Sequence, residues 1–337
     1  MKKPVSEQVI VIAGGSSGIG RATARAAAAR GAKVVVWARN TEALDAAVGE
    51  IEAAGGEGLA VTGDAASEVD AESLCARAVE RFGRIDTFVA SVMLTVYAEV
   101  EELEHEELRR VMDVNFLGRA RAYRAALPHL KETRGTFIDV NSGLAYRGIP
   151  LQAAYCASKA AGRTYFESAR VELEKHKAGV DICLILPGGM NTPQFDRGLQ
   201  KLGEQPQPVP PIYQPEIVAN AILYCAERPQ RELPVSWASQ KLLWGQKLSP
   251  RAGDLVLLRT GWKGQTTGEP KPVDSPNNLW ETIPGDPGVR GRFDAVARGS
   301  SAWTAARLQL GKVGSMAALS AAAVGTLIGY HGITKRR

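Results

Sequence analysis

Between residues 9 and 186, short runs of apolar and β-branched residues alternate with longer amphipathic stretches. The apolar runs are 9–13, 33–37, 58–61, 85–89, 136–140 and 180–186. Strands that are apolar on both faces and separated by helices are typical of a parallel sheet buried between two layers of helices. Gly31, Gly55 and Gly83 directly follow helical stretches and match the glycine that commonly ends a helix. The alternation predicts a doubly wound α/β fold.

Two later segments depart from this alternation. Residues 194–215 contain five prolines, and we interpret them as an ordered lid or an exposed loop before a helix that begins near Glu216. Beyond about Pro250 the strand pattern ends, and 264–287 is rich in Gly, Pro, Thr and Asn. That composition predicts a loop wrapping the body or partial disorder, and it indicates no chemistry.

The distribution of charge restricts the partners of the chain. Its 41 Lys+Arg and 36 Asp+Glu give a net charge of +5. Residues 295–337 contain six basic residues and no acidic ones, which leaves 1–294 with a net charge of −1. A protein that binds nucleic acid needs a basic face on its folded body, which this count does not supply. We therefore expect no nucleic-acid partner.

The four cysteines lie far apart in the sequence and form no C-x-x-C pair. This spacing indicates neither a metal site nor a disulfide framework, and it fits a reducing compartment. The N-terminal residues 1–8 contain no apolar stretch of the kind found in secretory signals. We expect a cytoplasmic location and no metal.

A glycine-rich turn follows the first predicted strand, with the sequence Ala13-Gly14-Gly15-Ser16-Ser17-Gly18-Ile19-Gly20. Such glycines let the backbone approach a pyrophosphate at a helix N-terminus, where unpaired N–H groups and the helix dipole favour negative charge. A tight turn without a ligand is the alternative interpretation of this motif alone. The spacing G-x-x-x-G-x-G resembles the glycine motif of the short-chain dehydrogenase/reductase family. This resemblance implies that the cofactor contacts Gly14, Ser16, Ser17, Gly18, Ile19 and Gly20.

The end of the second strand bears on the choice of cofactor. Dinucleotide-binding folds usually place an acidic residue there to hold the ribose 2′-OH, whereas an arginine accepts a 2′-phosphate. The strand ends with Arg39-Asn40 and has no carboxylate, which favours NADP(H) over NAD(H). An exposed arginine at the start of a helix is the alternative. By the same resemblance, Asp64 and Ala65 would lie near the adenine.

A second motif, Tyr155-Cys156-Ala157-Ser158-Lys159, opens a long helical stretch. Its spacing places Tyr155 and Lys159 one turn apart on the same helix face, where an ammonium would stabilise the phenolate. Ser142 follows the strand 136–140, at the carboxyl end where open α/β sheets bind ligands. Its hydroxyl is placed to hold a substrate carbonyl oxygen beside the phenol. A chance Tyr-x-x-x-Lys is common, but the added serine and glycine turn make this combination rare.

Together these motifs make residues 5–240 resemble a short-chain dehydrogenase/reductase, a family built on a Rossmann-type parallel sheet of about seven strands. The resemblance implies that Ser142, Tyr155 and Lys159 are catalytic and that Tyr155 and Lys159 also contact the cofactor. It implies that Asn115 is a fourth catalytic residue, which anchors a water-linked proton relay behind Lys159, and that it also belongs to the cofactor site. Gly188 and Thr192 match the segment that binds the nicotinamide, although a Gly-Pro turn is the alternative there.

One segment departs from the family pattern. After the fourth strand the family usually has Asn-Asn-Ala-Gly, but this chain has Ala90-Ser91-Val92-Met93. The first family asparagine ties neighbouring strands together, and Met93 is bulkier than the usual glycine. The departure motivates an alternative function, an NADP(H)-binding sensor or scaffold whose catalytic residues are idle.

The predicted reaction is hydride transfer between a nicotinamide and a carbonyl carbon, with Tyr155 as general acid in reduction and Ser142 polarising the oxygen. No lysine of the Walker type follows the glycine turn, which argues against a phosphate-cleaving enzyme. Several residues that flank the family's cleft are apolar and predict a lipophilic substrate, with ordinary core packing as the alternative. They are Met93, Leu144, Tyr146, Met190 and Phe195.

The basic C-terminus encloses an apolar run at 313–330 that is long enough as a helix, about 27 Å, to approach the thickness of a bilayer core. We weigh two interpretations, a membrane contact or span and a helix docked on the body or on a partner subunit. Whether the protein forms a homo-oligomer is left open. We expect a Rossmann-fold dehydrogenase domain over 1–250, an irregular extension over 251–300 and a basic, apolar C-terminal helix over 301–337.

Overall fold

The computed structural model describes residues 2–309 of the chain, and the predicted apolar run at 313–330 lies outside them. The strands are β1 Val9–Ala13, β2 Lys33–Ala38, β3 Glu57–Thr62, β4 Thr87–Ala90, β5 Val96–Tyr97, β6 Thr136–Val140, β7 Asp181–Pro187, β8 Leu199–Gln200, β9 Glu204–Pro206, β10 Glu232–Val235 and β11 Thr266–Pro270. The helices are α1 Gly18–Ala28, α2 Thr41–Ala53, α3 Glu68–Phe82, α4 His105–Met112, α5 Gly118–Thr133, α6 Ala153–Lys175, α7 Gln194–Arg197, α8 Glu216–Glu227, α9 Trp237–Leu248 and α10 Pro250–Thr260.

Seven of these strands form one parallel sheet in the order β10-β7-β6-β4-β1-β2-β3. The chain runs outward from β1 to β3 and then returns to place β4 on the other side of β1. This reversal opens a crevice at the carboxyl ends of β1 and β4, where doubly wound sheets bind their ligands. The predicted doubly wound α/β fold is confirmed.

The buried strands divide their side chains between two helical layers. In β1, Ile10 and Ile12 pack with α1, α2 and α8, whereas Val11 and Ala13 pack with α3, α5 and α6 on the opposite face. Alternation with a period of two follows from the pleat of a strand. Because both faces are covered, the whole strand is apolar, and this is why the sequence displays continuous apolar runs.

The edge strand β10 was missed by the sequence-based prediction, which located only the six other strands. It has four residues and contains Pro234, which lacks an N–H group and is tolerated in strands mainly at sheet edges. Among the strands that the structure describes, β10 pairs only with β7 and lies at the edge of the sheet, so the proline disrupts no inner ladder.

Both irregular segments are ordered. The proline-rich residues 194–215 form α7, β8 and β9 and bury Ile212 and Tyr213, so the interpretation as an exposed loop is wrong. Residues 264–287 wrap the body as one of the two predictions expected, and β11 pairs antiparallel with β9. The division of the chain at residue 250 stays a prediction. Within residues 2–309, no helix is long and apolar enough to cross a membrane.

The turn between β1 and α1 is held by backbone contacts that exclude side chains. A Cβ atom on Gly20 would lie 2.0 Å from the carbonyl oxygen of Gly14, far inside van der Waals contact. Gly14 itself has a φ of +87°, and a Cβ there would lie 2.8 Å from the backbone of Ser91. The two glycines therefore allow α1 to start close to the ends of β1 and β4.

We predict that Gly20→Ala destabilises the protein by about 1–3 kcal/mol, because the new methyl group overpacks a backbone contact that cannot yield. Gly49→Ala is the matched control, since Gly49 lies inside α2 and an added Cβ meets nothing within 4 Å. Alanine forms helix better than glycine, so this control should gain about 0.5–1 kcal/mol. Urea unfolding measures both free energies, and an unchanged value for Gly20→Ala would contradict the steric argument.

Candidate active site

Two cavities meet at the carboxyl edge of the sheet. The first, which we call the glycine-turn groove, runs from the β1–α1 turn past the ends of β2, β3 and β4. The second, which we call the large cavity, has a volume of about 690 Å³ and lies between the ends of β6 and β7, the segment 208–211 and helices α9 and α10. Both cavities share five lining residues: Ile19, Ser91, Met93, Thr192 and Gln194.

The groove gathers nine of the fourteen residues that were predicted to hold a cofactor. Those that line it are Gly14, Ser16, Ser17, Gly18, Ile19, Arg39, Asp64, Ala65 and Thr192. Gly20 does not line it and acts through the backbone packing described above. Thr192 lies where the two cavities join, at the expected position for the nicotinamide end, and Gly188 lines the large cavity.

The phosphate-binding features of the groove are present in the structure. Helix α1 begins at Gly18, its first turn contains no acidic residue, and Ser17 provides no side-chain cap. The Gly18 amide donates to the Gly288 carbonyl at 3.1 Å. Such a helix start attracts an anion through its N–H groups and its dipole. The glycine turn, the helix start and Arg39 thus fit a phosphorylated dinucleotide.

The charged residues of the groove are held by protein contacts. Arg39 donates from Nη1 to the Trp280 carbonyl at 2.9 Å and from Nη2 to the Asn278 carbonyl at 2.6 Å. Asp64 accepts from Arg110 Nη2 at 2.7 Å. Burial acts to raise the pKa of Asp64, but this bond and one from a backbone amide outweigh it, so the pKa lies below its ordinary value. Asp64 is thus paired with Arg110, and Arg39 is the charged residue that lines the groove at the end of β2.

Three of the four residues predicted to be catalytic, Ser142, Tyr155 and Lys159, line the large cavity together. Ser142 follows β6, and its Oγ accepts a hydrogen bond from the Leu144 amide at 3.0 Å, which leaves the hydroxyl proton free to be donated. Lys159 lies one turn after Tyr155 on α6, with Nζ 5.3 Å from the centre of the phenol ring. The same Nζ donates to the Val140 carbonyl at 2.9 Å.

Burial controls the protonation of this group. It raises the pKa of Tyr155 to about 12, against the opposing effects of the Ser142 hydroxyl and the Arg119 charge. Burial and the nearby Arg119 hold the pKa of Lys159 well below its ordinary value, with Asp139 acting in the opposite direction. Burial thus disfavours the charged form of both residues, and the effect of a Lys159 ammonium on the Tyr155 phenolate stays a prediction.

Asn115 lies in a π-helical turn, Asp113–Leu117, between α4 and α5. Its amide donates to the Leu94 carbonyl at 2.8 Å and to Ser158 Oγ at 3.1 Å, and its oxygen accepts from the Leu94 amide at 2.7 Å. It therefore ties the segment after β4 to α6 and lines neither cavity. Its part in a water-linked relay and in cofactor binding stays a prediction.

Arg119 supports the segment that departs from the family pattern, and sequence reasoning missed it. This buried guanidinium donates to the Val92 carbonyl at 2.7 Å, to the Val140 carbonyl at 2.9 Å and to Asp139 Oδ1 at 2.6 Å. An ion pair thus links the ends of β4 and β6, the tie expected of the missing asparagine. The sequence did contain one indication of its burial, since Arg119 lies at helical spacing from Ala122 and Tyr123 and so shares the buried face of α5.

The lining of the large cavity is mainly apolar. Of the residues predicted to line it, four do so: Met93, Leu144, Met190 and Phe195. Tyr146 does not, and this prediction is wrong, because its hydroxyl donates to the Glu232 carboxylate at 2.6 Å. Sequence reasoning also missed the residues of α10, of which Val256 and Leu257 line the cavity. Their half-apolar pattern is typical of a helix, but nothing in the sequence indicates that this helix lies over the site.

Comparisons with known proteins agree with this geometry. The family model described as short chain dehydrogenase matches residues 8–201. The uncharacterized oxidoreductase YxnA of Bacillus subtilis is 36% identical over 271 residues, covering 80% of this chain and 76% of the relative. A 3-oxoacyl-[acyl-carrier-protein] reductase of Synechocystis is 33% identical over 67% of this chain and 91% of the relative.

Among solved structures, an alcohol dehydrogenase from the archaeon Thermococcus sibiricus, complexed with 5-hydroxy-NADP, is similar with a TM-score of 0.59 and 28% identity. The match covers 67% of this chain and 94% of that structure. Fold, glycine turn and family model agree, and the chain therefore belongs to the short-chain dehydrogenase/reductase family of oxidoreductases.

Proposed function

We propose that this oxidoreductase interconverts a carbonyl and an alcohol with NADP(H), and that its substrate is lipophilic. The observation that carries the proposal is the junction of the two cavities. Ser142, Tyr155 and Lys159 line the large cavity, which meets the glycine-turn groove at Met93 and Thr192. A nicotinamide at this junction would face a carbonyl held by Ser142 and Tyr155.

A nicotinamide cofactor bound in the groove would supply a hydride to the carbonyl carbon or take one from an alcohol. In reduction, Tyr155 gives its phenolic proton to the carbonyl oxygen, and the Ser142 hydroxyl donates a hydrogen bond to the same oxygen. Because the Ser142 Oγ already accepts from the Leu144 amide, the hydroxyl is oriented to act as a donor. The buried Lys159 fixes the helix face on which Tyr155 lies through its bond to Val140.

Two features support NADP(H) as the cofactor. Arg39 lines the groove at the end of β2, where no carboxylate is present to hold a ribose 2′-OH. Burial lowers the pKa of Arg39, yet a guanidinium remains charged in proteins and pairs well with phosphate. The similar archaeal alcohol dehydrogenase is complexed with an NADP derivative, which favours the same choice.

The lining of the large cavity supports a lipophilic substrate. Leu144, Met190, Phe195 and Val256 surround the catalytic residues, and the cavity volume of about 690 Å³ lies within the range of roughly 300–1,000 Å³ that is usual for small-molecule sites. Burial of apolar substrate surface there would contribute to binding, whereas few charged groups are present to recognise a charged substrate.

We predict that Tyr155→Phe lowers the rate of NADPH-dependent carbonyl reduction by at least about a hundredfold, because the proton donor is lost. Tyr146→Phe is the matched control, since that hydroxyl binds Glu232 outside both cavities, and it should keep activity. A panel of aldehydes and ketones followed by NADPH absorbance measures both variants. The control also tests whether loss of any buried phenol hydroxyl is enough to lower the rate.

The same experiment separates the enzyme from the sensor or scaffold. If NADPH binds but the native protein shows no turnover above that of Tyr155→Phe on the whole panel, the catalytic residues are idle. That result would overturn the proposed enzyme and leave the cofactor site intact. Turnover that depends on Tyr155 excludes the sensor as the sole function.

The raised pKa of Tyr155, about 12, predicts different pH profiles for the two directions. Reduction uses the protonated phenol, which predominates at every pH below 12, so kcat/KM for the carbonyl should be flat between about pH 6 and 10. Oxidation uses the phenolate, whose fraction rises about tenfold per pH unit below the pKa, and kcat/KM for the alcohol should rise accordingly. A plateau in the oxidation profile already at neutral pH would contradict this assignment.

Arg39→Ala should weaken NADPH binding by about 10–100-fold and leave NADH binding nearly unchanged, because only NADPH carries the 2′-phosphate. The matched control is Arg109→Ala, since Arg109 lies exposed on α4 and, among residues 2–309, forms an ion pair only with Glu106. Titration of the bound-cofactor fluorescence gives both dissociation constants. An equal loss for NADH and NADPH would assign Arg39 a structural role and would leave the cofactor preference without support.

A further inference from the structure

Residues 277–288, which we call the strap, lie across the outer side of the glycine-turn groove. They follow the β9–β11 pair and approach the ends of β1 and β2 from the far end of the chain. Four strap residues line the groove opposite the glycine turn: Asn278, Thr282, Ile283 and Pro287. The strap therefore forms a wall of the groove that the sheet does not supply.

At one end, the strap binds the residues that follow β2. The guanidinium of Arg39 donates to two strap carbonyls, those of Asn278 and Trp280. The side-chain amide of Asn40 donates to the Ile283 and Gly285 carbonyls at 3.1 Å each. A guanidinium has five N–H donors, so Arg39 keeps donors for a ligand in the groove that it lines. The strap thereby fixes the orientation of the residue expected to meet a 2′-phosphate.

At its other end, the strap reaches the start of α1. The amide of Gly18, the first residue of that helix, donates to the carbonyl of Gly288 at 3.1 Å. N–H groups at a helix start are those that bind phosphate in dinucleotide sites. A pyrophosphate in this position would therefore compete with the Gly288 carbonyl for the Gly18 N–H group.

Side chains anchor the strap to the body. Leu279 is fully buried in the core cluster on the face of the sheet that α3, α5 and α6 cover, and its carbonyl accepts from Arg110 on α4 at 3.1 Å. Asp286 pairs with the buried Arg21, with 3.0 Å between Asp286 Oδ2 and Arg21 Nη2, and Arg21 also binds Glu50 at 3.0 Å. The Gly285 amide donates to Glu42 on α2 at 3.0 Å. These anchors hold a segment that has no regular secondary structure.

We propose that the strap is part of the cofactor site, where it closes over the adenosine half of the dinucleotide, slows its release and orients Arg39 toward the 2′-phosphate. This inference rests on the proposed NADP(H) function. The groove beside the strap has a volume of about 200 Å³, below the roughly 300–1,000 Å³ that is usual for small-molecule sites. An outward shift of the strap would make room for a dinucleotide, and the Arg21–Asp286 pair would resist that shift.

Asp286→Ala removes one anchor of the strap, while Arg21 keeps its partner Glu50 and its bond to the Ser16 carbonyl in the glycine turn. Asp274→Ala is the matched control, an exposed acid just before the strap for which the described residues provide no ion pair. Protein loaded with NADPH is mixed rapidly with excess NADP⁺, and the decay of bound NADPH fluorescence gives the dissociation rate. We expect a rate about tenfold higher for Asp286→Ala and an unchanged rate for the control. The preference for NADPH over NADH, measured by titration, should also fall in Asp286→Ala.

The outcomes separate this inference from the proposed function. Native protein that binds neither NADPH nor NADH would overturn both. Native protein that binds NADPH, with an unchanged release rate and preference in Asp286→Ala, would overturn the strap alone. Urea unfolding checks that the variant is folded, and if it is not, Asp286→Asn gives the same comparison with the charge removed and the shape retained.

Discussion

A buried ion pair, Arg119 with Asp139, joins the elements that carry the candidate active site. Both side chains are excluded from solvent, and removal of two charges from water costs several kcal/mol per ion unless hydrogen bonds and mutual attraction offset it. Arg119 donates hydrogen bonds to Asp139 and to the carbonyls of Val92 and Val140. Asn141 donates to the other oxygen of Asp139 at 2.7 Å. Loss of one partner would leave a buried charge unpaired, so the ends of β4 and β6 are fixed relative to α5.

The same pair contributes to the electrostatics of the catalytic residues, although burial has the larger effect. Arg119 repels a proton on Lys159 and Asp139 attracts it, so the two charges partly cancel and burial decides the result. For Tyr155 the positive charge of Arg119 works against burial, yet burial prevails. The candidate site therefore holds its phenol protonated at neutral pH. Because the paired charges lie behind the catalytic residues, they shape the site without lining the cavity that receives a substrate.

The parts that sequence reasoning predicted are those in which residue type alone dictates the geometry. Glycines that admit no Cβ atom, apolar runs covered on both faces, and Tyr155 and Lys159 one turn apart all follow from local rules. Strand β10 was not predicted because a four-residue edge strand that contains Pro234 has no clear pattern of apolar residues. The role of Arg119 was not predicted because its partner Asp139 is 20 residues away. A charged residue on a helix indicates a buried ion pair only when the orientation of the helix is known. The strap binds Arg39 and Asn40 through its backbone carbonyls, and no pattern of side chains in a sequence indicates such contacts.

Chemistry and access are supplied by different parts of the chain. The family model matches residues 8–201, which include the glycine turn and the catalytic residues. Helices α9 and α10 and the strap all follow that range, and they cover the large cavity and the groove, respectively. Because a parallel sheet leaves the carboxyl ends of its strands open, every residue that closes them must come from connecting loops or from an extension. In this protein the extension covers both cavities, so changes after residue 236 can alter which molecules enter while the reacting groups stay in place.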